Sequence, residues 1–487
     1  MTVQKLSVAG AAPASGERWN QVNWHQAQSQ VHRLQIRIAK AVQQEKWGKV
    51  KALQWLLTHS HHAKLLAIKR VSSNAGAKTS GIDKLRWQTP KQKYEAVKLL
   101  KRRGYKEQAL RRVYIPKKNG KLRPLGIPTM RDRAMQALYL LALEPVAEIQ
   151  ADKNSYGFRP KRCAVDASQQ CFLSLAKKTS PQWIFEGDIK ACFDEISHSW
   201  LMENVLTDKT ILQQWLKSGY MQRGVFYDTK SGTPQGGIIS PVLANIALDG
   251  LEEVVKQAIR KGDKVNVIRY ADDFVITAAS KEILEEKVKP VVVAFLAKRG
   301  LQLSEEKTRL THIDDGFDFL GFNFRKYNGK LLTKPSKQSI KTFLANIRTL
   351  IKSHPTIKTE HLIWLLNPKL RGWANYFRHV VSSKVFSKLD DAIFKTLYRW
   401  VKRRHQNQNA GWCYEKYFKH PMPVRWWFHA KTRTTDGRVT LIKLFKLSKV
   451  KIRRHLKIKA AATPYDSAYA SYFTQREARF NFVYAGS

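Results

Sequence analysis

Residues 270–273, Tyr-Ala-Asp-Asp, fall between two short apolar runs, residues 265–268 and 274–276. Runs of that length around a short polar break read as strand, tight turn and strand, with two adjacent carboxylates at the tip. A hairpin is a rigid support, and a carboxylate pair on one can hold Mg²⁺ beside a phosphate chain. The same pair is also ordinary solvated turn chemistry, since Asp side chains readily bond local backbone. A third carboxylate separates the two readings. Asp188 offers it, at the end of the apolar run 183–185 and ahead of residues 189–194. Two-metal phosphoryl transfer needs carboxylates around two Mg²⁺ ions roughly 4 Å apart, one ion activating a 3′-hydroxyl and the other neutralising the triphosphate. Whether Asp188 meets Asp272 and Asp273 is left to the fold.

The partner class follows from charge. The chain has 487 residues, with 87 Lys and Arg against 38 Asp and Glu, for a net charge of +49. Self-repulsion on that scale is relieved by a polyanion, which points to nucleic acid. A membrane surface is the rival, but no lipidation motif or apolar run of spanning length accompanies the charge. A hydrophobic content of 43% excludes a disordered chain. Cys163, Cys171, Cys192 and Cys413 are scattered without a C-x-x-C pair, which fits a reducing compartment and argues against structural zinc. Residues 1–18 lack the apolar stretch of a signal peptide and are expected as a mobile tail on a cytoplasmic protein.

The expected fold is α+β, helical at both ends. Residues 19–70 form a helical extension, with Leu34, Ile38, Ala41 and Val42 on one apolar stripe and Val50, Leu53, Leu56 and Leu57 on another. Within 71–179, residues 111–128 read as a hairpin turning at 118–121, and 132–149 as an amphipathic helix. Residues 180–335 mix strands and helices, and Ser240 is expected to cap a helix with Pro241 at its first position. Residues 336–408 are helical. The stretch 409–487 is basic: between Lys395 and Lys459 stand 19 Lys or Arg but only two acids, Glu415 and Asp436.

Taken in order, these segments resemble the motif set of group II intron-encoded reverse transcriptase/maturases, over roughly residues 20 to 480. The carriers are residues 74–83, 111–128, Ser-Tyr-Gly-Phe-Arg-Pro at 155–160, 188–194, Gly-Thr-Pro-Gln-Gly-Gly at 232–237 with Asn245, the 270–273 hairpin, Leu303-Ser304 with Lys307-Thr308, and 317–322. The resemblance implies a right-hand polymerase: N-terminal extension (19–70), fingers (71–179), an antiparallel-sheet palm (180–335), a helical thumb or X domain (336–408) and a basic DNA-binding region (409–487). It makes Asp188, Asp272 and Asp273 the Mg²⁺-binding triad, with the Ile189 backbone, although adjacent carboxylates on a turn need not both face the ions. Phe193 falls where the family holds a bulky ring under the incoming sugar, excluding a ribose 2′-hydroxyl; ordinary packing is the other reading of that ring. Arg111, Lys117 and Arg123 match positions that hold the dNTP triphosphate, and Gln235 and Gly236 those beside the nascent pair. Arg159, Asp194 and Lys307 are motif residues whose role is support or chemistry alike.

In the last third, residues 366–377 and the aromatic, basic stretch 398–404 carry the likeness to the maturase region. Arg371, Arg399, Lys402, Arg403 and Arg404 are the candidate contacts to intron RNA, with aromatics turned inward and cations outward. Many relatives continue into a zinc-dependent HNH nuclease, whose ligands have no counterpart after Cys413 and His455. Second-strand cleavage is therefore not expected, and a primer for copying into target DNA would come from elsewhere, such as a nascent strand at a replication fork. The expected function is RNA-directed DNA polymerase and maturase. The alternatives are a splicing cofactor with a vestigial polymerase, or a retron or diversity-generating reverse transcriptase.

Overall fold

The structure is a computed structural model and describes residues 15–116, 120, 122–234, 236–419, 426–433 and 437–484. Most of the expected tail lies outside the described residues, but residues 15–18 already belong to a helix, α1 (Ser15–Asn20). Its Trp19 is buried edge-on against Trp24 at 4.9 Å. Helices α2 (Trp24–Gln43), α3 (Trp47–His59), α4 (His61–Ser72) and α5 (Pro90–Ala96) complete the N-terminal layer. Asn23 caps α2 by accepting from Gln26 N, and Thr89 and Gln92 form a reciprocal capping box on α5.

Strands β1 (Leu110–Pro116) and β2 (Leu122–Ile127) form the expected antiparallel hairpin. The helix that follows, α6 (Met130–Gln150), departs from the amphipathic expectation. It is buried on almost every side, charged residues included, because it is the spine against which α2, α3 and α4 pack. Its polar groups are therefore bonded internally: Asp132 accepts from the Tyr105 and Thr129 hydroxyls at 2.7 Å each, and Arg133 donates to the Pro128 and Gly76 carbonyls at 2.9 Å.

After α7 (Ala164–Leu175), β3 (Trp183–Asp188) enters the palm. The chain then crosses α8 (Cys192–Glu195), α9 (His198–Asn204), α10 (Lys209–Lys217), β4 (Tyr220–Gln222), β5 (Val225–Tyr227), α11 (Ser240–Leu248) and α12 (Leu251–Gln257). Ser240 is the first residue of α11 rather than its cap; its hydroxyl turns back to the Pro234 carbonyl at 2.8 Å, and Ile239 takes the cap position. Strands β4 and β5 extend the finger sheet in the order β2-β1-β4-β5. Strands β6 (Asn266–Tyr270) and β7 (Asp273–Ala278), then α13 (Lys289–Ala297) and β8 (Arg309–His312), complete the palm sheet, ordered β6-β7-β3-β8 with every pairing antiparallel.

Side chains on that sheet alternate between two cores, as a period of two requires. Phe185, Val267, Phe274 and Ile276 enter the core shared with α6 and the N-terminal helices. Ile184, Ile268 and Val275 enter a second core. That second core continues through β9 (Phe317–Phe319), β10 (Phe322–Tyr327) and β11 (Lys330–Pro335) into α14 (Lys337–Lys352), α15 (Thr359–Phe377) and α16 (Ser383–Arg404). It also takes in α17 (Ala410–Tyr417), β12 (His429–Arg433), β13 (Val439–Lys443) and the segment leading to α18 (Ala470–Tyr484). Cys413, Phe418, Phe428, Leu444 and Ile458 are fully or almost fully buried in it. The boundary expected at 408/409 thus crosses a continuous core.

Candidate active site

The β6–β7 hairpin pairs Tyr270 with Asp273, so only Ala271 and Asp272 form the turn, with Ala271 in the left-handed region at φ 57°. On the other side of β7, Asp273 lies directly across from Asp188 at the end of β3. The register brings together the three carboxylates that the sequence left apart. Asp188 is buried, and its carbonyl accepts from Ser304 N at 2.8 Å; the adjoining Ile189 bridges to Leu303.

Three carboxylates in one place repel one another. Burial pushes Asp272 above the ordinary carboxylate range, and the Asp188 charge adds to this, against Lys307 and Arg123. Asp273, although its residue reaches solvent, is pushed up to about 7, first by desolvation and then by Asp272 and Asp188. The Lys307 ammonium forms an ion pair with Asp188, and that hydrogen bond holds the lysine above its usual value. The site therefore carries more negative charge than the two nearby cations offset. A set of oxygen donors with surplus negative charge suits a hard divalent cation such as Mg²⁺.

Arg123 stands on β2, exposed, and its charge is felt at Asp272. Arg111 instead donates Nε to the Ser80 carbonyl at 3.0 Å, tying β1 to the preceding loop. Lys117 and Gln235 lie outside the described residues. Gly236 has φ 120°, and a Cβ there would sit 2.7 Å from the Gly126 carbonyl oxygen, so the segment 232–237 comes directly against β2 at this point. Phe193 lines a cleft of about 340 Å³ with Arg112, Tyr114, Gly126, Thr233 and Pro234. Its carbonyl accepts from Thr233 N at 2.6 Å.

A supporting layer lies beneath the turn. Arg269, almost fully buried, pairs with Asp249 and donates to Asn245 Oδ1 at 3.1 Å and to the Ala271 carbonyl at 3.3 Å. Asn245 in turn donates to the Gly157 carbonyl at 2.8 Å. Arg159 makes a buried two-point ion pair with Glu148, both bonds at 2.8 Å, so its place is structural. Arg269 and Asp249 do not stand out as site residues in the sequence. A cation inside an otherwise apolar strand was the available signal for the first; the second had none.

The candidate RNA contacts lie on the thumb. Arg371 on α15 and Arg399, Arg403 and Arg404 on α16 are exposed, while Trp400, Leu397 and Val401 on α16 turn inward, as expected. Arg404 donates to the Ile357 carbonyl at 2.6 Å and lies over Trp400, and Lys402 donates to the Gln408 carbonyl at 2.9 Å. The cysteines hold a surprise. Cys163 donates Sγ to Asp166 at 3.2 Å, and His455 and Arg476 both reach Asp166 at 2.8 Å. The Cys163, Asp166 and His455 ligand atoms lie within 4.8 Å of one another, but the Arg476 guanidinium already occupies the carboxylate.

An antiparallel palm carrying three carboxylates at adjoining strand ends, under a finger hairpin and beside a helical thumb, defines a template-copying polymerase. The comparisons agree. Residues 115–324 match reverse transcriptase (RNA-dependent DNA polymerase), residues 19–100 the N-terminal domain of reverse transcriptase, and residues 340–418 the group II intron maturase-specific domain. The chain is 36% identical over 295 residues to Protein YkfC of Escherichia coli (strain K12), covering 51% of this chain and 76% of that one. It is 29% identical over 363 residues to the group II intron-encoded protein LtrA of Lactococcus lactis subsp. cremoris, covering 60% of each. It is 24% identical over 373 residues to Maturase-like protein 1 of Euglena longa, covering 74% of this chain and 78% of that one. The chain belongs to the group II intron-encoded reverse transcriptase/maturase family. Among the described residues, no helix is long and apolar enough to cross a membrane.

Proposed function

We propose that this chain copies RNA into DNA at Asp188, Asp272 and Asp273 with two Mg²⁺ ions, and that its C-terminal third binds intron RNA to promote splicing and to carry the intron into target DNA. The observation that carries the polymerase half is the β3–β7 register, which sets Asp188 across from Asp273 and beside the Asp272 turn. When bound there, Mg²⁺ supplies charge neutralisation at the dNTP triphosphate and acidifies the primer 3′-hydroxyl.

The chain's own groups supply position. Arg111, Lys117 and Arg123 steer and hold the triphosphate, Arg123 with the best support because its charge already reaches Asp272. Gln235 and the close-approaching Gly236 face the nascent pair. Phe193 lies under the sugar and excludes a ribose 2′-hydroxyl. On the thumb, Arg371, Arg399, Lys402, Arg403 and Arg404 engage RNA phosphates, and the basic region 409–487 meets target DNA. Target-primed copying then extends a 3′ end of the target DNA, such as a nascent strand at a replication fork.

The test separates the two halves. Asp272→Ala with Asp273→Ala should abolish primer extension on an RNA template while leaving intron RNA binding and splicing within about twofold of the unaltered chain. If extension survives the double substitution, the assignment of the site fails. If the unaltered chain makes no cDNA with Mg²⁺ and a primed RNA template, the polymerase half of the proposal fails.

A further inference from the structure

Phe158 breaks two local rules at once. It is a bulky residue in the left-handed region at φ 56°, and its ring is half exposed. Strain of this kind persists only where the surroundings over-determine it. Here they do. Tyr156 N donates to the Arg269 carbonyl at 2.9 Å, and Arg269 N donates to the Asn154 carbonyl at 3.0 Å. Asn245 holds the Gly157 carbonyl, and Arg159 ties the loop back to the Asp152 and Ser155 carbonyls at 2.6 and 2.9 Å. A Cβ on Gly157 would lie 2.3 Å from Ala271 N, so the loop is pressed against the turn that carries Asp272. The backbone of Phe158 is thus held in register with the turn that carries the carboxylates.

From that backbone the ring meets Phe193 edge to face, with centroids 6.5 Å apart and planes at 77°. Phe193 also packs on the first core, so Phe158 is the flank support of a ring already held from below. We propose that Phe158 is a positioning residue that sets how strictly the site chooses deoxynucleotides: its ring keeps Phe193 at one angle to the incoming sugar, so that a 2′-hydroxyl meets a wall that cannot tilt. The inference rests on the reading of Phe193 as the sugar-excluding ring. It adds that the exclusion is made by a pair of rings, one of them carried on the strained 155–160 loop.

The experiment measures single-nucleotide incorporation by the full chain on a primed RNA template, giving kcat/KM for a dNTP and the matching rNTP. Phe158→Gly removes the ring while tolerating the left-handed backbone, so folding is preserved. Phe158→Tyr keeps the ring, and Phe193→Val tests the underlying reading. Phe158→Gly should lower the dNTP-over-rNTP preference about threefold to tenfold, the range an edge-to-face pair supplies, mainly through a better KM for the rNTP. Phe158→Tyr should restore the preference, and Phe193→Val should lower it further. If Phe193→Val relaxes the choice of sugar but Phe158→Gly does not, the inference is overturned and the Phe193 reading stands. If Phe158→Gly slows dNTP and rNTP incorporation equally, the loop is only a scaffold, which also overturns it. If Phe193→Val leaves the preference unchanged, the Phe193 reading itself fails.

Discussion

A single methyl group is a sharp probe of the site at the scale of one residue. Gly157 has no room for a side chain, because a Cβ would stand 2.3 Å from Ala271 N and 2.9 Å from the Tyr270 carbonyl carbon. Both neighbours are backbone, so the methyl of Gly157→Ala can be accommodated only by shifting the turn against the 155–160 loop. A displacement of about 1 Å at a reacting centre costs on the order of 100-fold in rate. We expect Gly157→Ala to lose about that much in kcat for primer extension, while RNA affinity at the exposed thumb cations stays within about twofold; steady-state extension and filter binding check the two. The same position illustrates what sequence can and cannot reveal. The three Asp residues were legible because carboxylate chemistry is written in residue type and in the ordered motifs. The Arg269–Asn245–Gly157 chain that holds the turn was not, since it joins segments distant in sequence through one ion pair and hydrogen bonds to backbone carbonyls.

At the scale of an element, periodicity finds the helices but not the edges of their buried faces. Helix α3 carries Val50, Leu53, Leu56 and Leu57, all of which a hydrophobic stripe would include. Leu57 is fully buried, whereas Leu56 is 44% exposed. The turn of the helix carries Leu56 past the rim of the core, beside Trp55, which is 60% exposed and stacked on His59 at 4.2 Å. Leu57→Ala should therefore cost about 2–5 kcal/mol, the usual range for a core leucine. Leu56→Ala should stay within about 0.5 kcal/mol, as surface changes do. Urea unfolding of the two variants side by side checks this, and equal losses would mean that Leu56 packs against something on the N-terminal layer. The α6 spine makes the converse point: an amphipathic helix turns its charged residues to solvent, yet Asp132, Arg133 and Glu148 are buried with partners supplied by loops that no helical period anticipates.

Across the whole molecule, the C-terminal region returns to the fingers–palm junction and closes on it. Asp166 at the start of α7 accepts from His455 Nε2, Ile458 N and Arg476, each at 2.8 Å. Nearby, Arg162 donates to the Ala460 carbonyl at 3.0 Å, and the Tyr465 hydroxyl bonds Glu144 at 2.5 Å. Burial alone would raise Asp166, but His455, Arg476 and the Ile458 N–H outweigh it and bring the carboxyl down to about 2. Its unfolded value is near 3.9. A carboxylate with a depressed folded value binds fewer protons folded than unfolded, so its stabilisation is complete above about pH 4 and is lost as pH falls from there through about 2. Asp166→Asn should consequently loosen residues 455–476 at pH 7, speeding their amide hydrogen exchange at least tenfold, while the palm strands exchange as before. The gap between the variant and the unaltered chain should shrink as pH falls from about 4 towards 2, where the carboxylate itself becomes protonated. A variant whose C-terminal segment exchanges at the unaltered rate at pH 7 would show that the second core, through Phe428, Leu444 and Ile458, holds this region without the Asp166 cluster.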